Sequence, residues 1–229
     1  MALPQIRQRI VNCQACPRLR AYCARIAQEK RRAFRDDSYW GKPVPGFGDQ
    51  QARLVLIGLA PAAHGANRTG RTFTGDTSGD TLMAALYSTG FANLSTSKHR
   101  QDGLVLSDAF ITSVVRCAPP DNQPSSSEIT NCYIHLRDEM AALSRVRVVV
   151  ALGRVAFNAY WNWLKDRVQS VKPRPKFKHG LLYQPKAGPL LISSYHPSLQ
   201  NRNTGRLTQE MLTDVFRQAK RVLEGPPRK

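Results

Sequence analysis

Residues 53–76 read RLVLIGLAPAAHGANRTGRTFTGD, and three physical signals follow one another along them. RLVLIGLAP is an apolar run of strand length. GANRTGRT, residues 65–72, is glycine-rich, and Asp76 stands directly before TSGDTLMAALYSTG, residues 77–90. The apolar positions of that last segment recur at helical spacing, and Gly90 supplies a C-terminal stop. Strand, glycine loop and helix in this order open an α/β unit, with a polar site expected at the strand's carboxyl end.

One letter separates GANRTGRT from the phosphate-binding pattern G-x-x-x-x-G-K-[ST], because Arg71 stands where the lysine belongs. The residues that follow argue against a phosphate cradle. Phe73, Thr74, Gly75 and Asp76 place an aromatic ring and a carboxylate where a triphosphate would lie, and the carboxylate would repel it. Asp76 is also a favoured N-cap, and a helix N-terminus stabilises its ionised form. Phe73 by itself reads as core; beside Asp76 in a glycine loop it also suits stacking on a planar ligand.

The alternation continues downstream. LVLSDAFITSVVRC (104–117) reads as a strand, and SSSEITNCYIHLRDEMAAL (125–143) as a helix opened by Ser125 and Glu128 at capping-box spacing. VRVVVALG (146–153) is a buried strand, followed by a helix over about residues 154–168. A basic stretch, QSVKPRPKFKHG (169–180), interrupts the body before the short strand in PLLISSYHPS (189–198), and a last helix covers about residues 208–223. Residues 5–28 carry helix-period apolar positions, and WGKPVPGFGD (40–49) reads as a connector. Strands apolar throughout, alternating with helices, predict a parallel sheet covered on both faces. Function then gathers in three loops at the strand ends: residues 58–76, RCAPPDNQP (116–124) and YHPSLQNRNTG (195–205).

The chain's 229 residues suit one domain, and 34 Lys+Arg against 16 Asp+Glu give a net charge of +18. Such an excess calls for a polyanion, with nucleic acid the leading candidate. KRRAFR (30–35) and the tail GPPRK read as solvated positive faces. No apolar run is long enough to span a bilayer and the start has no signal-like core, so a soluble, cytoplasmic protein without membrane contact is expected.

Five cysteines in a reducing compartment point to metal ligation or buried thiols rather than disulfides. Cys13 and Cys16 form a C-x2-C pair, and Cys117 and Cys132 lie far downstream. Four thiolates would serve an iron-sulfur cluster or zinc equally, and Cys117 and Cys132 also fit as plain buried residues. Cys23 reads as a bystander.

Taken together, GLAPAAHGANRTGRTFTGD, VRCAPPDNQP and HPS, with the cysteine set, resemble a family 5 (type b) uracil-DNA glycosylase. EKRRAFRDDSYWGKPVPGFGD (29–49) carries the resemblance upstream, so that it spans most of the chain. Leu59, Ala62 and Ser113 stand where the related family 4 differs. The resemblance implies a three-layer α/β/α sandwich around a central, mainly parallel four-stranded sheet. It implies one domain over residues 1–229, whose helical segment of about residues 1–50 contributes ligands to a structural [4Fe–4S] cluster held by Cys13, Cys16, Cys117 and Cys132, with zinc the lesser alternative.

The implied roles are specific. Asp76 is the catalytic carboxylate, assisted by His196 and Asn122; Phe73, Ala60 and His64 bind the base; Leu199, Gln200 and Arg202 enter or contact the DNA. The implied reaction is hydrolysis of the N-glycosidic bond of uracil and other deaminated or damaged bases after base flipping, by a monomer acting on duplex or single-stranded DNA and leaving an abasic site. Arg71 is expected in the loop or facing DNA. Two rivals remain at this stage: a zinc-stabilised nucleic-acid binding module without catalysis, and a degenerate P-loop NTPase.

Overall fold

The apolar runs form strands that are buried on both faces. The computed structural model describes residues 1–168 and 174–225. Its helices and strands in chain order are α1 (Leu3–Val11), α2 (Pro17–Glu29), β1 (Phe47–Gly48), β2 (Leu54–Gly58), α3 (Ala66–Thr69), α4 (Thr77–Ser88), β3 (Ala109–Ser113), α5 (Ser126–Ala142), β4 (Val148–Leu152), α6 (Arg154–Lys165), β5 (Leu181–Tyr183), β6 (Leu190–Ser194), α7 (Leu199–Asn203) and α8 (Gln209–Glu224). The sheet runs β1-β3-β2-β4-β6-β5. Its four central strands, β3, β2, β4 and β6, are parallel and buried at every position.

Register turns continuous apolar runs into two separate cores. Phe110, Val55, Val149 and Leu191 lie in one row across the sheet and pack into the layer of α2, α5 and α6. The next row, Ile111, Leu56, Val150 and Ile192, faces α4 and α8. Successive side chains point to opposite faces of a strand, so one uninterrupted apolar sequence supplies both layers of the sandwich.

The expected four-stranded centre is present, and two short antiparallel strands extend it. β1 pairs with β3 and lies within the segment read as a connector; β5 pairs with β6. Strands of two and three residues are too short to show a period, which is why the sequence did not reveal them. Residues 169–173 of the basic stretch and 226–229 of the tail lie outside the described residues. Within the stretch, Phe177 packs on Phe157 with ring centroids 5.6 Å apart, and Lys178 accepts a 2.6 Å hydrogen bond from Ser193. The stretch therefore leads into the β5 edge rather than simply interrupting the body.

The N-terminal helices join the same core, with Leu19 and Cys23 buried beside Leu136. Arg18 grips Glu128 of α5 through two bonds of 2.8 and 2.7 Å, and Arg9 pairs with Asp138. Glu128 also completes the capping box with Ser125. A buried carboxylate on α5 collects three further partners: Glu139 accepts from the Gly46 amide at 2.9 Å, the Thr112 hydroxyl at 2.5 Å and Arg116 at 2.8 Å. Connector, β3 and α5 meet at that one side chain.

Several arginines thus do structural work. Arg53 and Arg147 donate to the Leu223 carbonyl at the end of α8, at 3.1 and 3.0 Å, where cations favour a helix C-terminus. No described helix is long and apolar enough to cross a membrane.

Candidate active site

Loops from the carboxyl ends of β2, β3 and β6 meet over the sheet and enclose a cavity of about 500 Å³. Ala60, Phe73, Asp76, Asn122 and His196, named from different stretches of the sequence, all line it. So do Leu199 and Gln200 at its rim, where Leu199 is 52% exposed. Leu59, Pro61, Ala62 and Ser113 are also part of its wall.

Asp76 is the N-cap of α4, and its Oδ1 accepts from the Gly79 amide at 2.9 Å. Its Oδ2 lies against the Cα of Gly65, where a Cβ would stand 2.0 Å away. Gly65 is thus required by close approach. Burial pushes the Asp76 carboxyl above the usual aspartate range, against the pull of the Gly79 and Ser78 amides. The Phe73 ring packs on Gly58 in the same manner, a Cβ there falling 2.8 Å from its Cε2. Phe73 holds a φ of 49°, a left-handed conformation uncommon for an aromatic residue.

The Phe73 and His196 rings stand 5.9 Å apart, inclined at 30°. Burial pushes the His196 pKa down to about 4, so the imidazole is neutral at physiological pH and offers an N–H rather than a proton. Its loop is pinned by Asn201, whose side-chain amide donates to the His196 carbonyl at 2.8 Å. Asn122 and Asp121 are both left-handed, with φ of 56° and 53°, and this turn presents them at the mouth.

A second, more open space of about 780 Å³ adjoins the first and shares Ala62, Asp76, Asn122 and Leu199 with it. Arg31, Phe34, Arg68 and Lys98 line this outer groove. KRRAFR is therefore more than a solvated face: the Arg68 guanidinium lies 3.9 Å over the Phe34 ring. His64 belongs to this groove and not to the enclosed cavity, its Nδ1 3.0 Å from the Tyr39 hydroxyl. Arg202 is exposed but lines neither space, and donates to the Thr81 hydroxyl of α4 at 2.9 Å. Arg71 does not face DNA. Its side chain is 4% exposed and paired with Asp102 at 2.6 Å.

Away from this face, Cys13, Cys16, Cys117 and Cys132 line one small closed cavity beside α2 and α5. Cys23 stays apart from that lining, buried behind Cys117 with its thiol 3.6 Å from the Ala118 carbonyl. Among the described residues no group of three or more His, Cys, Asp or Glu side chains is arranged to hold a single metal ion. Burial pushes the Cys132 thiol up to about 12 and also raises Cys16, while a hydrogen bond with Cys23 together with burial raises Cys117.

The family model of the uracil DNA glycosylase superfamily matches residues 45–220. The chain belongs to the type-5 branch of the uracil-DNA glycosylase superfamily. It is 49% identical over 222 residues to the type-5 uracil-DNA glycosylase of Mycobacterium leprae, covering 96% of each chain. It is 47% identical over 211 residues to the type-5 enzyme of Pyrobaculum aerophilum, covering 92% of this chain and 89% of the other. A type-4 uracil-DNA glycosylase of Saccharolobus solfataricus is 28% identical over 186 residues, covering 80% of this chain and 77% of that one. The type-5 relatives stand far nearer than the type-4 one, in line with the family 5 pattern around Leu59, Ala62 and Ser113.

Within this glycosylase family frame, Gly65, Gly58 and Asp121 are site residues that sequence reasoning did not single out. Two of them matter for what they lack, since a side chain would fill the space of Asp76 or Phe73. Gly65→Ala is predicted to slow single-turnover uracil excision about 100-fold by displacing the carboxylate, with DNA affinity retained. An unchanged rate in Gly65→Ala would show that the carboxylate position does not matter.

Proposed function

We propose that the protein removes uracil from DNA by hydrolysing the N-glycosidic bond of a nucleotide flipped out of the helix. The observation that carries this reading is the convergence of a half-buried carboxylate, an aromatic ring and a neutral histidine on one cavity. A flipped pyrimidine is flat, apolar on its faces and polar at its edge. The Phe73 ring suits the face, and an N–H of His196 suits a carbonyl oxygen of the edge.

In the proposed reaction the bond between C1′ of the sugar and N1 of uracil breaks, and its electron pair leaves with the base. Charge then grows in opposite senses at two places. Asp76, as an anion, stabilises the electron-poor sugar and orients the water that adds to C1′, accepting a proton as the water attacks. His196 donates a hydrogen bond to the uracil oxygen that gains negative charge, a neutral electrophile of the kind that burial maintains. Asn122, which lines the same cavity, suits a contact with the incoming water or the base edge.

Arg31 on the outer groove suits a phosphate flanking the flipped nucleotide, while Arg68 and Lys98 on the same groove already pair with Asp37 and Asp80. Leu199, apolar and exposed at the rim, suits the gap that the base vacates, with Gln200 beside it. The described lining of the base cavity includes no lysine that would form a Schiff base with the opened sugar, which favours a monofunctional enzyme leaving an abasic site. Small side chains at Ala60 and Ala62 leave room for damaged bases beyond uracil.

The cysteine cavity fits a [4Fe–4S] cluster held by Cys13, Cys16, Cys117 and Cys132. Four thiols from separate stretches of the chain line one small space, and soft thiolates suit iron. Arg116 and His135 line the same cavity, and Arg116 Nε and Nη1 and both His135 nitrogens have no hydrogen-bond partner among the described residues. Buried donors without partners are costly, and an anionic, thiolate-bound group beside them would compensate. When bound, the cluster would supply a covalent tie between the N-terminal segment and α5 through Cys13, Cys16, Cys117 and Cys132.

Two measurements test these readings. The protein is expected to release free uracil from a duplex holding a U·G pair, and His196→Ala to slow the single-turnover step about 100- to 1,000-fold. Retention of all uracil in the DNA would overturn the proposed activity. Anaerobically prepared protein is expected to hold about four iron atoms per chain with broad visible absorption, lost in Cys117→Ser. Zinc in place of iron would overturn the cluster.

A further inference from the structure

The loop of residues 73–76 carries two side chains that the reaction needs, and its backbone is not restful. Phe73 is left-handed with φ 49°, and Gly75 with φ 79°. A bulky residue keeps a positive φ only where its surroundings over-determine it. The hydrogen bonds supply such surroundings, and they start from Arg71.

The buried Arg71 guanidinium donates in three directions. Nε reaches the Thr74 hydroxyl at 2.9 Å; Nη2 reaches the Ser97 hydroxyl at 2.9 Å and Asp102 Oδ2 at 2.6 Å; Nη1 reaches the Arg100 carbonyl at 3.4 Å. Thr74 and Ser97 bond to each other at 2.6 Å, and the Gly75 amide donates to the Ser97 carbonyl at 2.8 Å. Asp102 in turn organises its own turn, accepting the Lys98 amide at 2.8 Å and the Leu104 amide at 3.0 Å. The 73–76 loop and the 97–102 turn are thereby one clamped unit, with Phe73 and Asp76 on either side of the clamped residues.

We infer that Arg71 is a positioning residue of the reaction: it holds the Phe73 ring and the Asp76 carboxylate in place by clamping the loop between them to Ser97 and Asp102. Charge alone does not accomplish this. A planar guanidinium reaches a hydroxyl on one side and a carboxylate and a second hydroxyl on the other, whereas an ammonium is a single point donor on a flexible stem. The inference rests on the proposed roles of Phe73 and Asp76.

The test compares the parent holoprotein with Arg71→Lys and Asp102→Asn in uracil excision, with the folded fraction of each measured by thermal unfolding. The clamp predicts that kcat per folded molecule falls about 10- to 100-fold while KM stays within about twofold, because the loop loses its aim and not its DNA. If Arg71→Lys does not fold, Ser97→Ala removes one partner each from Arg71 and Thr74 and is expected to show the same split. Variants that excise at the parental rate per folded molecule, or that change only KM, overturn the inference. A parent that releases no uracil overturns the reading of the site instead, so the two failures are distinct.

Discussion

The carboxylate of Asp76 is the constraint around which the rest of the site is built. It is a helix cap and a half-buried carboxylate together: one oxygen takes the Gly79 amide, and the other lies against Gly65. The N-terminus of α4 favours its charge while burial opposes it. Glycines at 65 and 79 give it room, since a Cβ at 79 would meet the Phe73 carbonyl at 2.4 Å. Those positions therefore answer to the carboxylate and to the loop that delivers it.

The sheet decides where such an anion is permitted. β3, β2, β4 and β6 are buried on both faces, so no ligand reaches the middle of the sheet and an accessible polar site collects at their carboxyl ends. β2 delivers Ala60 and the Asp76 loop, β3 leads to Asn122, and β6 leads to His196. Positive charge is divided in a comparable way. Arg53, Arg71, Arg116 and Arg147 bind carboxylates or helix-end carbonyls inside the fold, whereas Arg31 lines the open groove, as does Lys98, which pairs there with Asp80. Net charge alone does not make that distinction.

Much of this was legible in the sequence, because the signals are local and strong. The apolar run before Gly58, the Asp76 cap and the Ser125–Glu128 capping box each form where chain pattern places them. The edge strands β1 and β5 were hidden by their shortness. Arg71 lies in the loop, one of the two alternatives read for it, but its burial was not legible: one chain position has no sign of being inside or out, and its partners Ser97 and Asp102 lie 26 and 31 residues away. His64 shares the first motif with Ala60, yet it turns toward Tyr39 in the outer groove. Nor does spacing reveal that Gly65 makes room for Asp76, since close approach exists only after folding.

Asp76→Asn tests the central claim most directly, because it keeps a capping oxygen and removes only the charge. With its pKa raised on folding, the ionised carboxylate costs stability: the favourable contribution is present below the unfolded pKa and is lost as pH rises through the folded one. At neutral pH the Asn variant is therefore predicted to melt no lower than the parent, to bind uracil-containing DNA as well, and to excise uracil about 100- to 10,000-fold more slowly in a single turnover. An Asn variant that excises uracil at the parental rate would contradict the account.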